Sequence, residues 1–439
     1  MRISVLGTGY LGATHAACLA ALGHEVIGID RDPGHIARLR TGRAPFHEPG
    51  LNRLLEEAVA DGRLSFGTDL SAAAAHATVH FICVGTPERA GGRHADLTDL
   101  HAVVDELAPL LHGPALVIGK STVPVGTAQD LLARLQGGAP TGVDVDVAWN
   151  PEFLREGAAV QDSLSPDRLV FGVTTSAAQA VLRSIYASLI TRGVPVVITD
   201  LATAELAKAS ANVMLAARVS MLNVLAEVCE AAHADVSDLV AILGLDPRIG
   251  PDYLSPGVGF GGGCLPKDLR AFVARAGELG VGGPLRLLRE VDRVNRHQQR
   301  RTVRRVSALL DGSVEGRPIT VLGAAFKADS DDIRESPALA IATQLAVDGA
   351  RVTVHDPAAL DRARRAHPEL DYDADLLSAC TGAELVLVLT DWPEFAGADS
   401  VSLASVVARP VVFDGRLVLD ADKWRAAGWS VHTVGRGEI

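Results

Sequence analysis

The chain runs to 439 residues, with a formal net charge of −12, 48% hydrophobic residues and only 4% aromatic ones. Such a length exceeds one ordinary core and, at roughly 150 residues per domain, suggests about three domains. The acidic balance disfavours nucleic acid or an anionic membrane as the main partner, and no apolar run approaches the ~20 residues of a membrane helix, so a cytoplasmic protein is expected.

The sequence opens directly on Arg2–Leu6, which reads as a strand and not as a signal peptide. Gly7-Thr-Gly9-Tyr-Leu-Gly12 follows, then an alanine-rich helical stretch to about Leu22, a strand Glu25–Ile29 and Asp30. GxGxxG alone is a weak pattern. Strand, glycine turn, helix, strand and an acid 18 positions after Gly12 together make a dinucleotide fingerprint. Gly7 permits the tight turn, Gly9 lets a pyrophosphate approach the backbone, and Gly12 lets the helix pack on the strand. Asp30 is placed to accept hydrogen bonds from the adenosine ribose and to repel a 2′-phosphate, which favours NAD over NADP. Arg31 beside it weakens that preference a little.

Val79–Val84 and Leu116–Ile118 read as parallel strands covered on both faces. They end in Gly85-Thr86-Pro87 and Ser121-Thr122-Val-Pro-Val-Gly126, where Thr86 and Thr122 either face a ligand or serve ordinary turn chemistry. Val143–Trp149 alternates as a strand, and Asn150-Pro151-Glu152 is expected to start a helix with Asn150 as its N-cap. Glu152 and Glu156 would then share a helix face, one of them as a general base or both as acids suited to a helix N-terminus.

From about Leu201 to Ala232 there is neither proline nor glycine, which predicts one long helix suited to bridging two domains. Glu205, Lys208 and Asn212 lie on one face of it; the lysine is either a solvated surface group or, with Asn212, a stabiliser of an oxyanion. Helices are also expected from about Val236 to Leu243 and from Pro284 to Leu310. Between them runs Pro256-Gly-Val-Gly-Phe-Gly-Gly-Gly-Cys-Leu-Pro-Lys-Asp268. Five glycines from Gly257 to Gly263 let backbone pass close to a ligand and expose its N–H groups. Pro266 suits the first turn of a helix, and Cys264 just ahead of it, with Lys267 beside it, sits in positive potential that favours the nucleophilic thiolate. The alternative for a lone cysteine is inert packing, as the apolar settings of Cys18 and Cys83 suggest for those two. Cys229 and Cys380 complete a scattered, odd set without CxxC or Cys/His clustering, so reduced thiols and no metal site are expected. Long helices with small-residue faces also make dimer interfaces, and a homodimer is expected.

Pro318–Gly323 restarts the strand-then-glycine pattern, followed by a helix from about Pro337 to Asp348, a strand Arg351–Val354, and Asp356 where Asp30 stood. Without a full GxGxxG this lobe is less suited to a dinucleotide. Strands at Glu384–Leu389 and Val411–Phe413 fit it. Lys327 and Arg334 bracket the acidic run Asp329–Asp332, as a solvated loop or as phosphate and base contacts. The fold class expected is α/β: two Rossmann-like doubly wound lobes, residues 1–199 and 313–439, joined by a long central helix and a helical dimerisation region in residues 200–312.

GTGYLG, VGTP, STVPVGT, NPEFLREG, ELAKASAN, GVGFGGGCLPKD and GAAFKADSDDIRESPA, in that order, resemble the nucleotide-sugar dehydrogenases that oxidise UDP-glucose or GDP-mannose. Arg248-Ile-Gly250 and the cysteine loop are most similar to those of bacterial UDP-glucose 6-dehydrogenases. The resemblance implies an NAD-dependent, four-electron oxidation of a sugar C6 alcohol to a carboxylate, with Cys264 holding first a thiohemiacetal and then a thioester that water hydrolyses. It implies that Lys208 and Asn212 stabilise the oxyanion, that Asp268 orients water and Lys208, and that Glu152 is the base for hydrolysis. Thr122 joins this catalytic set.

By the same resemblance, cofactor contacts are Gly7, Gly9, Tyr10, Leu11, Gly12 and Asp30, then His35, Thr86, Thr122 and Glu156, with Lys267 and Arg334 from later in the chain. Substrate contacts are Glu152, Phe153, Leu154, Arg155, Lys208 and Asn212, then Tyr253, Leu254, Ser255, Gly257, Gly261 and Lys327, with Arg248 reaching a neighbouring subunit's nucleotide. The third segment would bind the nucleotide sugar. His35 stands where the family usually carries a stronger base, Ser330 where it carries threonine, and His355 where tyrosine is frequent. Within the same enzyme class GDP-mannose or another UDP-hexose is the alternative substrate; outside it, the alternative is a non-catalytic NAD-dependent sensor.

Overall fold

The computed structural model describes residues 1–437, so the last two residues of the expected third segment lie outside it. The chain divides into two compact units, Met1–Ala211 with Arg270–Gly280, and Asn212–Leu269 with Val281 to the C-terminus. Two helices, Leu201–Ala231 and Leu265–Glu278, are continuous across those limits.

The first unit is built on an eight-stranded sheet: β1 (Arg2–Leu6), β2 (Glu25–Ile29), β3 (Leu64–Gly67), β4 (Val79–Ile82), β5 (Ala115–Gly119), β6 (Val145–Trp149), β7 (Leu169–Gly172) and β8 (Val196–Thr199). Their order is β3-β2-β1-β4-β5-β6-β7-β8, parallel except where β7 runs against β6. Side chains alternate between two cores, with Ile3, Val5, Phe81 and Ile118 on one face and Leu6, Ile82 and Val117 on the other. Burial on both faces is why these strands read as continuous apolar runs. The alanine-rich helix Tyr10–Ala21 buries every residue from Gly12 to Ala20, and its small side chains let it lie close on the sheet. Trp149 is fully buried over Gly119, where a Cβ would come within 2.1 Å of the indole.

The second unit carries a six-stranded, wholly parallel sheet: β9 (Pro318–Leu322), β10 (Arg351–His355), β11 (Asp371–Tyr372), β12 (Leu385–Val388), β13 (Val411–Asp414) and β14 (Ser430–Thr433), in the order β11-β10-β9-β12-β13-β14. In each sheet the strand order reverses beside the first strand, the crevice where doubly wound folds bind ligands. The two expected lobes are therefore present, and the strand and long-helix limits agree with the sequence reading to within about two residues.

Two expectations change. Asn150-Pro151-Glu152 does not start a helix: residues 150–158 form a loop and the helix begins at Ala159. The Asn150 side chain is spent in the core, giving Nδ2–H to Val170 O at 3.0 Å and accepting from Tyr186 Oη at 2.6 Å and Lys120 Nζ at 3.1 Å, so it caps nothing. Glu152 and Glu156 consequently share no helix face. Secondly, among the described residues one helix, Leu201–Ala231, is long and apolar enough by length and composition to cross a bilayer, because alanine raises its hydropathy without a conspicuous run of large apolar side chains. Its polar face disagrees with lipid: Glu205, Lys208, Asn212 and Asn223 are all buried in protein.

Candidate active site

The first unit assembles two groups of the expected residues. At the carboxyl end of β1, Gly7 has φ +84° and donates its N–H to Ile29 O at 2.8 Å. A Cβ on Gly12 would lie 1.8 Å from Gly7 O, whereas one on Gly9 would meet nothing within 4 Å. The helix Tyr10–Ala21 has no side-chain cap, so its first-turn N–H groups face outward unclaimed by a neighbouring side chain. Asp30 accepts Thr8 N–H at 2.8 Å on Oδ2 and Asp32 N–H at 3.1 Å on Oδ1, leaving further lone pairs for a diol. His35 Nε2 lies 2.6 Å from Thr8 O, so the imidazole steadies the turn it was expected to border. Arg31 is held in a two-point pair by Asp99, at 2.7 and 3.2 Å, which weakens its case as a 2′-phosphate ligand. An open second glycine, a tight third one and an uncapped helix fit a dinucleotide.

The second group surrounds Glu152. Its Oε1 pairs with Lys208 Nζ at 2.9 Å, both side chains at most 10% exposed, and its Oε2 accepts Leu154 N–H at 2.8 Å. Lys208 is thus no solvated surface lysine. Phe153 lies under Arg168, with Lys208 Nζ 5.9 Å from the ring centroid. Arg155 is turned to Asp162, at 2.7 Å; Glu156 is half-buried in the same loop. Thr86 gives its hydroxyl to Thr122 O at 2.7 Å, joining the loops after β4 and β5. Glu205, one turn before Lys208, serves that second loop rather than the chemistry: its carboxylate accepts Gly126 N–H at 2.7 Å and Ala128 N–H at 2.6 Å. Burial pushes this carboxyl up to about 7 against the pull of those donors and of Arg275. Lys120 is buried on Asn150, and burial lowers its ammonium to about 8.

In the second unit Cys264 stands exposed immediately ahead of the helix Leu265–Glu278, its carbonyl accepting Asp268 N–H at 2.9 Å. That is the N-cap position, where the helix dipole favours an anion. Cys18, Cys83, Cys229 and Cys380 are buried, and burial pushes the thiols of Cys18, Cys83 and Cys380 up to about 12. Asp268 is buried; its Oδ2 accepts from Asn212 Nδ2 at 2.6 Å, and its Oδ1 lies 2.8 Å from the Lys267 ammonium as an ion pair without hydrogen-bond geometry.

The glycine run has a packing reason beside the one expected. Missing side chains at Gly257, Gly259, Gly261, Gly262 and Gly263 make room for neighbouring protein. A Cβ would come 2.9 Å from Gly415 O, 2.7 Å from Asn295 Oδ1, 2.2 Å from Glu335 O, 2.8 Å from the Phe326 ring and 2.2 Å from Arg334 Cζ respectively. The N–H groups of Gly257, Phe260 and Gly262 are likewise taken, by Asn223 Oδ1, Asn295 Oδ1 and Arg334 O, each at 2.8 Å. The run is a rigid mount for Cys264. It sets Gly261 against Glu335, Gly262 against Phe326 and Gly263 against Arg334. Arg334 itself is held on Asp332. Tyr253 adopts φ +56° and is exposed, Leu254 is buried and Ser255 exposed. Arg248 is exposed and is paired within its own turn to Asp246.

Three contributors were not legible in sequence. Arg416, half-buried and two residues beyond β13, fastens the cysteine loop by donating to Gly259 O at 3.1 Å while also donating to Leu389 O at 2.8 Å. Asn295 clamps Phe260 by both N–H and carbonyl. Glu48 binds the loop of Glu152. None belongs to a local pattern, since each acts on residues far away in the chain.

Residues 1–190 match the NAD binding domain of the UDP-glucose/GDP-mannose dehydrogenase family, residues 202–297 its central domain and residues 320–421 its UDP binding domain. A UDP-glucose 6-dehydrogenase of Rhizobium meliloti is 40% identical over 99% of this chain and 100% of its own length. A UDP-glucose dehydrogenase structure from Pyrobaculum islandicum is 37% identical with a TM-score of 0.91, covering 100% of this chain and 98% of that one. A UDP-D-ManNAc dehydrogenase structure from Pyrococcus horikoshii is 26% identical with a TM-score of 0.87, covering 100% of both. The three matches run in one order over most of the sequence, and the chain belongs to the UDP-glucose/GDP-mannose dehydrogenase family.

Proposed function

We propose that this chain oxidises UDP-glucose to UDP-glucuronate with NAD, through a thioester on Cys264. The observation that carries the reading is the contrast among five thiols: four are buried, and the one that is exposed heads a helix on a rigid glycine mount. Bound NAD supplies the hydride acceptor for both oxidations. Cys264 adds its thiolate to the C6 aldehyde, forming the C–S bond that the second oxidation turns into a thioester. Lys208 and Asn212 offer the cation and N–H that an oxyanion requires, and Asp268 fixes Asn212. Glu152 takes the proton of the hydrolytic water. Cofactor contacts are those at the open glycine turn and Asp30, with His35 behind the turn; Tyr253, Ser255 and Lys327 serve the nucleotide sugar. The functional segments are residues 1–199, 200–312 and 313–439.

Mixing the protein with limiting UDP-glucose and excess NAD+ should release two NADH per sugar, and Cys264→Ser should form little or no acid. One NADH per sugar, or full turnover by that variant, would overturn the thioester scheme. The likeness to the UDP-D-ManNAc dehydrogenase keeps a second reading, another UDP-hexose or GDP-mannose, and the same assay with each sugar nucleotide decides between them.

The protein is also proposed to act as a homodimer. Met214, Met221, Val224 and Val228 are exposed on the helix Leu201–Ala231, an apolar row of the kind a second copy covers. Sedimentation at micromolar concentration should give twice the mass of one chain; a monomer there would reject this.

A further inference from the structure

Glu48 lies outside every motif, yet it is 6% exposed and accepts four hydrogen bonds. Its Oε1 takes Ala159 N–H at 2.7 Å and Val160 N–H at 3.3 Å; its Oε2 takes Gly157 N–H at 2.8 Å and the Tyr10 phenol. Tyr10 Oη in turn lies 3.1 Å from Gly157 N. Tyr10 is the first residue of the helix that leaves the glycine turn, and Gly157–Val160 is where the loop of Glu152 ends and the next helix begins. The other end of that loop is fixed by Asn150 in the core. Glu48 therefore fixes the far end of the loop and ties it to the dinucleotide turn.

We propose that Glu48 is a positioning residue for the hydrolytic step, holding the Glu152 loop in register through its bonds to Tyr10, Gly157 and Ala159. The inference rests on the function proposed above. In that step the water oxygen bonds to the thioester carbon, the C–S bond breaks, the sulfur leaves as thiolate and the water proton passes to Glu152. In the function proposed above Glu152 serves as the base of hydrolysis alone. Loosening its loop slows hydrolysis selectively, so covalent enzyme accumulates. The backbone of the glycine turn keeps its own supports, Gly7 N–H on Ile29 O and Thr8 N–H on Asp30, which do not involve Glu48.

Glu48→Gln is isosteric but sets an amide donor against main-chain N–H groups. With UDP-glucose and NAD+ its kcat should fall roughly tenfold to hundredfold, the cost of about an ångström of misplacement. Its KM for NAD+ should fall along with kcat, leaving kcat/KM for NAD+ within about threefold of wild type, because only a step after both hydride transfers is slowed. Intact mass after a denaturing quench should show most of the variant carrying a uronyl nucleotide on Cys264. Tyr10→Phe removes only the phenol link and should show the same adduct in a smaller fraction; it decides the matter if Glu48→Gln does not fold. Unchanged kcat, a fall in kcat without adduct, or a rise confined to KM for NAD+ would each overturn the proposal. Wild type run alongside separates the two claims: if it makes no NADH from UDP-glucose, the function itself fails and this inference falls with it.

Discussion

The two lobes begin alike and diverge at one carboxylate. In both, a glycine with positive φ follows the first strand, Gly7 at +84° and Gly323 at +123°, and donates its N–H to the last residue of the second strand, Ile29 O at 2.8 Å and His355 O at 2.7 Å. Both second strands are followed by aspartate. Asp30 is half-exposed and accepts the N–H groups of Thr8 and Asp32 and, at 3.3 Å, the Thr8 hydroxyl. Asp356 is 2% exposed and accepts five: Ala324, Ala325, Ala358 and Ala359 N–H and the Trp392 indole, all between 2.7 and 3.1 Å. The helix after the first turn is uncapped, whereas the one after the second is capped by Ser336. Topology supplies a crevice in each lobe, but only where the carboxylate and the helix end are uncommitted is there chemistry left for a ribose and a pyrophosphate.

One substitution made in both lobes sharpens this comparison. Asp356→Asn must point two amide N–H groups at donors that now share a carboxylate, in a place water does not reach. A loss of about 2–4 kcal/mol is expected, since each buried group left unpaired costs about 1–3 kcal/mol. Denaturant unfolding measures it, and the KM for NAD+ of the folded fraction should be unchanged. Loss below about 0.5 kcal/mol, the range of ordinary surface changes, would mean that Asp356 is not the lock of its lobe.

Much of this contrast was legible from sequence. The glycine, the strand lengths and the two aspartates follow from strict local periodicities, and Asp356 was marked as the counterpart of Asp30. What the sequence hides is commitment. Asp30 and Asp356 look equivalent until the Trp392 indole is seen over one of them, 36 residues further on. The same limit explains the loop of Glu152. Asn150-Pro151-Glu152 has the local chemistry of a helix start, and loses it because Asn150 is drawn to Val170, Tyr186 and Lys120. Glu48 then caps from 109 residues away, at Gly157. Cys264 was legible for the opposite reason, because its setting is local: the start of a helix directly follows it. For the glycines before it, the sequence shows that side chains are absent and not what fills their place, which is Gly415, Asn295, Glu335, Phe326 and Arg334.

The partner substitution, Asp30→Asn, tests the other half. Asp30 is only half-buried, so water can take over the contacts an amide makes less well, and stability should change by less than about 1 kcal/mol. Its effect belongs to cofactor choice. A charged acceptor on a ribose hydroxyl is worth about 1.5–3 kcal/mol, which puts the loss in kcat/KM for NAD+ at roughly tenfold to hundredfold. For NADP+ the sign reverses, because the phosphate no longer meets a carboxylate, so its kcat/KM should rise from a value far below that for NAD+. Arg31, held by Asp99, limits the gain until that pair opens. Kinetics with both cofactors on wild type and variant read the ratio directly. Equal use of NAD+ and NADP+ by wild type would break the comparison at its root, since an uncommitted carboxylate at this position must discriminate against a second phosphate if it faces the ribose at all.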